Sequence, residues 1–295
     1  MSAVILRARA YFKMWIYLQD KFVAKEDAKV SVFDYGFLYG DGIFETFRAY
    51  SGKIFRLSDH LDRLAAAASR LALSLPPAAV IENLLYETLQ RNRLDDALLR
   101  LTVSRGEGLP GLDPDPCPAP TLVISARAFG GCPASYYLHG ISSVIVQIPR
   151  QAAAADPSLK SISFLNNILG KLEAKKRGAF EGLFLNSEGY LSEGTVSNLF
   201  MIQEGKLKTP SAVSGILKGI TRGVVLELAD RMKIEAEEGL YRAEDLFAAE
   251  EGFLTNTGWE LMPVVMVNEK KIGSGRPGPI TQQLHQAFRE AVRER

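Results

Sequence analysis

The run Ser158-Leu159-Lys160-Ser161-Ile162-Ser163-Phe164-Leu165-Asn166-Asn167 places one lysine among small and hydroxylated residues, just ahead of a helix that reads as buried. Burial disfavours an ammonium, so a lysine held against apolar surface loses its proton more readily and becomes a nucleophilic amine. Schiff-base chemistry requires such an amine. A fold that uses Lys160 must enclose it and bring a carboxylate to it from elsewhere. The later run Tyr190-Leu191-Ser192-Glu193-Gly194-Thr195-Val196-Ser197-Asn198-Leu199-Phe200 supplies one, Glu193. On its own, though, a lysine is most often a solvated surface group.

Composition narrows the setting. A chain of 295 residues is long enough for two modest domains or one large one with an ample core. A net charge of +1 leaves no electrostatic footprint for nucleic acid or an anionic membrane, so neither is expected as a partner. No run of 18 apolar residues is present to span a bilayer. Two cysteines, Cys117 and Cys132, do not make a disulfide framework, and a reducing cytoplasm is the expected compartment. Residues 1–13 scatter basic charges among apolar residues without a clean hydrophobic core and cleavage site. They read as an extension outside the fold rather than a signal peptide.

Local pattern then gives the elements. Residues 15–18 and 21–23 predict two short strands around a turn, and 43–50 alternates as a strand. Ser58 is the expected N-cap of a helix reaching about residue 73, on which His60 and Arg63 share a face. A second helix is expected over 77–92, followed by a strand at 98–105 that carries Arg100 and Arg105. Arginine suits bidentate carboxylate recognition, although an exposed strand face explains both residues equally well. Residues 106–120 form a long Pro/Gly loop of the kind that often binds or covers a ligand. Strands follow at 121–126 and 143–148, with 128–137 between them as a linker. Past Lys160 a helix is expected over 164–177, ended by Gly178. Strands at 183–185 and 199–202 flank Glu193. Gly215 to Arg222 feeds a helix over 224–232, and a glycine turn at a helix N-terminus is a ready phosphate site. Phe253-Leu254-Thr255-Asn256-Thr257-Gly258 ends a strand in residues suited to oxyanions, and 281–293 closes the chain as an amphipathic helix. Gly40-Asp41-Gly42 lacks the third glycine of a dinucleotide loop, because Glu45 stands there. No metal site is indicated.

A lysine, a carboxylate, a helix-borne arginine and two phosphate-type turns together suit pyridoxal 5′-phosphate (PLP). The chain also resembles the fold-type IV PLP enzymes, or class IV aminotransferases. These include branched-chain and D-amino acid aminotransferases and 4-amino-4-deoxychorismate lyase. The resemblance runs from about residue 14 to the C-terminus. It rests on Phe37-Leu38-Tyr39-Gly40-Asp41-Gly42-Ile43-Phe44-Glu45, His60-Leu61-Asp62-Arg63-Leu64, Lys160 with its helix, Ser192-Glu193-Gly194 with Asn198-Leu199-Phe200, Gly219-Ile220-Thr221-Arg222, and Glu260 with Met262-Pro263-Val264.

The resemblance implies an α/β (α+β) protein with a small N-terminal α/β domain over 14–127, a linker at 128–137, and a larger C-terminal domain over 138–295 with a β-barrel core. It implies that Lys160 forms a Schiff base with PLP and moves the substrate Cα proton. Glu193 pairs with the pyridine nitrogen. Arg63 holds the phosphate from one side, and the backbone at Ile220 and Thr221 with the Thr257 hydroxyl holds it from the other. Ser197, Asn198 and Asn256 complete the cofactor site, with Phe164 beside the ring. Many relatives carry a tyrosine at that last position, donating to the cofactor's phenolic oxygen. Phenylalanine cannot donate, leaving Asn166, Asn167 or water to substitute. Tyr39, Phe44, Arg48, Arg100, Arg105 and Gly258 are the expected substrate contacts. A homodimer is expected, with residues 106–118 reaching the partner's site.

Within the family the motifs divide. Phe44-Glu45-Thr46-Phe47-Arg48 and Ser104-Arg105-Gly106 resemble the lyases, whereas Gly275-Arg276-Pro277-Gly278-Pro279-Ile280-Thr281 resembles branched-chain aminotransferases. Arg100 matches their arginine for a second carboxylate, with Leu98 in place of a tyrosine. Arg105 matches the α-carboxylate arginine of D-amino acid enzymes. The first expectation is an aminotransferase exchanging an amino group between an amino acid, branched-chain-like or D, and a 2-oxo acid. The alternative is the lyase, which releases 4-aminobenzoate and pyruvate. A PLP-holding homologue without turnover is the third.

Overall fold

The computed structural model describes residues 13–115, 117–150 and 159–294. The expected loop at 151–157 and all but the last residue of the N-terminal extension lie outside them. Strands β1 (Trp15–Leu18) and β2 (Lys21–Ala24) lead to the short helix α1 (Tyr35–Tyr39), then β3 (Gly42–Tyr50) and β4 (Lys53–Ile54). Helices α2 (Leu57–Arg70) and α3 (Ala78–Asn92) precede β5 (Ala97–Ser104) and β6 (Thr121–Ala128). These six strands form one antiparallel sheet in the order β2-β1-β6-β5-β3-β4.

Strand periodicity decides what each face of this sheet carries. Ile43, Phe47 and Ala49 of β3, Leu99, Leu101 and Val103 of β5, and Leu122, Ile124 and Ala126 of β6 point to one face. They pack against Leu61 and Leu64 of α2 and Ile81 and Leu85 of α3. The opposite face takes the alternate residues. Cross-strand register aligns Thr46 with Arg100, Arg48 with Leu98, and Leu98 in turn with Arg127.

The chain crosses through α4 (Ala134–His139) into β7 (Ile141–Ile145), and α5 (Leu165–Lys176) follows Lys160. Then come β8 (Glu181–Leu185), β9 (Leu191–Gly194), β10 (Asn198–Gln203) and β11 (Lys206–Pro210). Helix α6 (Ile220–Arg231), β12 (Ala236–Gly239), α7 (Ala243–Phe247), β13 (Glu251–Asn256), β14 (Glu260–Val267), β15 (Lys270–Lys271) and α8 (Pro279–Arg293) complete the described chain. The nine strands make a second sheet in the order β12-β11-β10-β13-β14-β7-β8-β9, with β15 on β14. It curls into a half-barrel as β9 comes back against β10. Leu199 and Met201 face one side of it, whereas Phe200 and Ile202 pack with α6 and α8 on the other. Phe55, from the first sheet's connection, meets Phe288 of α8 at 5.4 Å and ties the two halves together.

Several expectations shift. Helix α2 begins at Leu57, and its N-cap is Arg56 in the left-handed region (φ 52°), so Ser58 lies inside the first turn. Glu193 is itself in a strand rather than between strands, because β9 pairs with β8 through backbone groups that a Leu-Ser-Glu-Gly sequence does not advertise. Helix α4 occupies part of the expected linker. Helix α5, expected to be buried, instead turns Leu165, Ile168, Leu169 and Leu172 outward as an apolar stripe, and only Asn167, Gly170 and Ala174 face in.

Phe47 is fully enclosed at the centre of the first core. Phe47→Ala should therefore cost about 3–5 kcal/mol, through lost transfer energy and a cavity. The check is the thermal unfolding midpoint, which should fall by several degrees.

Candidate active site

Lys160 is positioned by β3. The Phe44 N–H donates to the Lys160 carbonyl and the Ile162 N–H donates to the Gly42 carbonyl, both at 2.9 Å. With an isolated bridge between Ile43 and Ser161, these bonds make the lysine segment a short extra strand on the edge of β3. Phe44 and Lys160 thereby meet, with Nζ 4.6 Å from the ring centroid. They line a cavity of about 410 Å³ between the two sheets. A larger open groove of about 850 Å³ over α3 holds none of the expected site residues.

The cavity collects most of the expected site from distant segments. Phe44, Arg63, Arg100, Lys160, Phe164, Glu193, Ser197, Asn198, Ile220, Thr221, Asn256, Thr257 and Gly258 all line it. Burial is the main influence on Lys160, and with nearby Arg63 it brings the amine down to about 8, against opposing pulls from Glu45 and Glu193. Burial pushes the Glu193 carboxyl up to about 7, although Arg150 and the Leu217 N–H favour its charged form. Its Oε1 lies 2.8 Å from Arg150 Nη2. Its Oε2 accepts from the Leu217 N–H at 2.9 Å and from Asn198 Nδ2 at 3.3 Å.

Arg63 is fixed by a buried carboxylate on the core side of β3. Its Nε and Nη2 reach the two oxygens of Glu45 at 2.7 and 2.8 Å, a bidentate pair, and its Nη1 donates to the Lys218 carbonyl at 3.0 Å. His60 Nδ1 is 2.8 Å from the same carboxylate. His60 and Arg63 thus share a buried acid rather than a solvated face. Burial alone would raise the Glu45 carboxyl, but Arg63 and His60 hold it down at about 2. Burial keeps the His60 ring below its usual range.

Opposite Arg63, helix α6 begins at Gly219 without a side-chain cap, so its first N–H groups are free to face an anion. Gly219 is required there, because a Cβ would stand 2.1 Å from Asn198 Oδ1. Asn256 shapes the neighbouring turn, its Oδ1 accepting from the Gly258 and Trp259 N–H groups at 2.9 and 2.7 Å. The buried Ser197 hydroxyl has no hydrogen-bond partner among the described residues.

Three expected substrate residues lie elsewhere. Arg105 is committed to Asp41, with Nε at 2.8 Å, and to the Leu71 and Ala72 carbonyls. Tyr39 is on α1, where its hydroxyl accepts from the Gly111 N–H at 3.1 Å. Arg48 is 5% exposed and stacks between the rings of Tyr50 and Phe129, just behind the cavity wall. Conversely, Arg127, Phe129, Arg150 and Trp259 line the cavity and were missed. Alternation along β6 is the one local signal that could have found Arg127.

The amino-transferase class IV family model matches residues 42–267. The chain belongs to the class IV aminotransferases. It is 41% identical to a putative branched-chain-amino-acid aminotransferase of Methanocaldococcus jannaschii, over 94% of this chain and 96% of that one. It is 31% identical to the D-alanine aminotransferase of Listeria innocua, over 95% and 96%. The branched-chain amino acid aminotransferase of Escherichia coli shares the fold with a TM-score of 0.91 and 30% identity, over 95% of each chain. The chain is thus a fold-type IV aminotransferase, acting on amino acids and 2-oxo acids with PLP as cofactor. The comparisons favour transamination over the lyase expectation. Its own residues fit that cofactor: an amine lowered to about 8, a buried carboxylate, and an uncapped helix N-terminus facing an anchored arginine.

PLP uptake by cofactor-stripped protein should accelerate as pH rises through about 8, the range in which the Lys160 amine loses its proton and gains a nucleophilic lone pair; stopped-flow absorbance across pH reads this out. Glu45→Gln should destabilise the fold by about 3–5 kcal/mol at pH 7, by leaving Arg63 unpaired at a buried site. A carboxyl lowered from 4.5 to about 2 stabilises above 4.5 and loses that contribution as pH falls, so the gap between variant and parent should narrow below pH 4.5 in thermal melts.

Proposed function

We propose that the chain exchanges an amino group between a branched-chain-type aliphatic amino acid and a 2-oxo acid with a distal carboxylate. The observation that carries this reading is the mixed character of one end of the cavity. Phe44, Leu98, Phe129 and Trp259 offer an apolar wall, and Arg100 lies against it with its guanidinium 3.7 Å from the Phe44 ring centroid. Such a wall takes an aliphatic side chain in one half-reaction and the methylenes of a dicarboxylate in the other, with Arg100 holding the second carboxylate.

In this reading Lys160 is the nucleophile and carries the proton to and from the substrate Cα. Glu193 holds the cofactor's ring nitrogen. Arg63, the backbone at Ile220 and Thr221, and the Thr257 hydroxyl hold the phosphate, with Ser197, Asn198 and Asn256 around them. Phe164 flanks the ring, and Gly258, in the turn that Asn256 ties, borders the substrate. When bound, PLP supplies the electron sink for charge left at Cα. Arg48 and Arg105 have no part in it.

The working form is a homodimer in the cytoplasm, divided into units over 14–127 and 138–295 with a linker at 128–137. The outward stripe of α5, with Leu165 67% and Leu172 57% exposed, supports a second copy as its cover. Residues 106–118 carry Leu112, 84% exposed, and hydrogen-bond to α1 through Tyr35 and Tyr39. This loop with Tyr39 reaches the partner's cavity. Both cysteines are free, and among the described residues no helix is long and apolar enough to cross a membrane.

Arg100→Ala should raise KM for 2-oxoglutarate by about tenfold or more, through loss of a charge-assisted bond, while leaving KM for leucine nearly unchanged. Steady-state kinetics with both substrates, and with each enantiomer of leucine, checks this; an unchanged KM for 2-oxoglutarate removes Arg100 from the site. In sedimentation, Leu165→Glu with Leu172→Glu should give an inactive monomer, and a fully active monomer contradicts the shared site.

A further inference from the structure

We propose that Arg150 is a cofactor-binding residue in this chain, donating to the phenolic oxygen of the PLP ring in place of the hydroxyl that Phe164 lacks. The Phe164 ring packs edge-on against Phe44 at 5.2 Å and offers no donor to the cavity. The two neighbouring amides are already engaged. Asn166 Nδ2 donates to the Pro149 carbonyl, and Asn167 Nδ2 donates to the Thr195 carbonyl at 2.7 Å. Arg150 is different. Its Nη2 holds Glu193 Oε1 and its Nη1 donates to Asn167 Oδ1 at 3.3 Å, while its Nε is buried without a partner among the described residues. A buried guanidinium N–H left unpaired is costly, so the site is short of an acceptor.

The two oxygens of Glu193 indicate where that acceptor lies. Oε2 is held by Leu217, on the segment that runs into the Gly219–Thr221 helix start and so toward the phosphate, and by Asn198 at the start of β10. Oε1 is held by Arg150, on the side of Asn167 and Phe164. In the ring of PLP the phosphate-bearing arm and the phenolic oxygen leave from opposite edges relative to the nitrogen. With the nitrogen on Glu193 and the phosphate toward Gly219, the oxygen-bearing edge turns to Arg150. Its positive charge there stabilises the phenolate, and it opposes protonation of the adjoining lysine-bound centre.

The inference rests on the PLP assignment, and the holoenzyme tests both separately. For wild type, Arg150→Gln, Phe164→Tyr and the double variant, the measurements are the pH midpoint of the visible cofactor band and the Kd for PLP. Arg150→Gln should raise the midpoint by about one pH unit or more and weaken PLP binding about tenfold. Phe164→Tyr should lower the midpoint, and in the double variant it should recover most of the shift. Arg150→Lys, which keeps the charge for a protein that folds poorly with glutamine, should leave the midpoint near wild type. An unchanged midpoint and Kd in Arg150→Gln overturns the proposal. A raised midpoint that Phe164→Tyr does not recover also overturns it, placing the effect of Arg150 on Glu193 alone. No visible band in wild type would instead overturn the cofactor assignment itself.

Discussion

Two backbone hydrogen bonds, from Phe44 to Lys160 and from Ile162 to Gly42, hold the lysine against the first sheet and in the cavity wall. They convert a segment between sheets into an edge strand of the first sheet. The lysine therefore inherits the rigidity of β3, while the helix that follows it belongs to the second sheet's half. β3 serves both sides at once. Its core-facing Glu45 anchors Arg63, and its cavity-facing Phe44 touches Lys160. Catalytic precision of this kind comes from regular elements, because their side-chain directions are fixed by alternation and not by a loop's conformation.

The cavity's electrostatics follow from which charges are already paired. Arg63 is neutralised by Glu45, and Arg150 shares Glu193, so the anions that bind here meet a poised rather than a saturated site. Lys160 lies among these cations in a setting that burial has already made unfavourable for an ammonium. The same burial that costs stability for an ammonium favours the neutral amine, the form that can act as a nucleophile. Glu193 shows the complementary strain: a carboxyl pushed up to about 7 gains most from a cationic ring nitrogen placed against it.

What was legible in the sequence follows the range of the forces involved. Alternation along 43–50, 98–105 and 121–126 is a local consequence of one buried sheet face, and the strands lie there within a residue or two. Lys160, Glu193 and the 219–221 turn could be named from local chemistry and from resemblance. Arg150 could not, because its importance comes from meeting Glu193 and Asn167 across the fold, and nothing beside it in the chain marks that meeting. Arg105 shows the reciprocal case: its spacing suits a substrate arginine, and the fold pairs it with Asp41 and with the Leu71 and Ala72 carbonyls, which nothing beside it in the chain marks. The strand at 206–210 and its parallel partner at 236–239 were missed because Lys-Leu-Lys-Thr-Pro and Ala-Glu-Glu-Gly carry little apolar alternation and depend on pairing for their structure.

The most direct test of the account is a single half-reaction. Purified holoenzyme, with no 2-oxo acid present, would be mixed with one amino acid at a time while its visible absorbance is followed. The holoenzyme should show a visible band that Lys160→Ala abolishes and that an aliphatic amino acid bleaches stoichiometrically, with release of one equivalent of the matching 2-oxo acid. A band that no amino acid bleaches, or one that survives intact in Lys160→Ala, would contradict it.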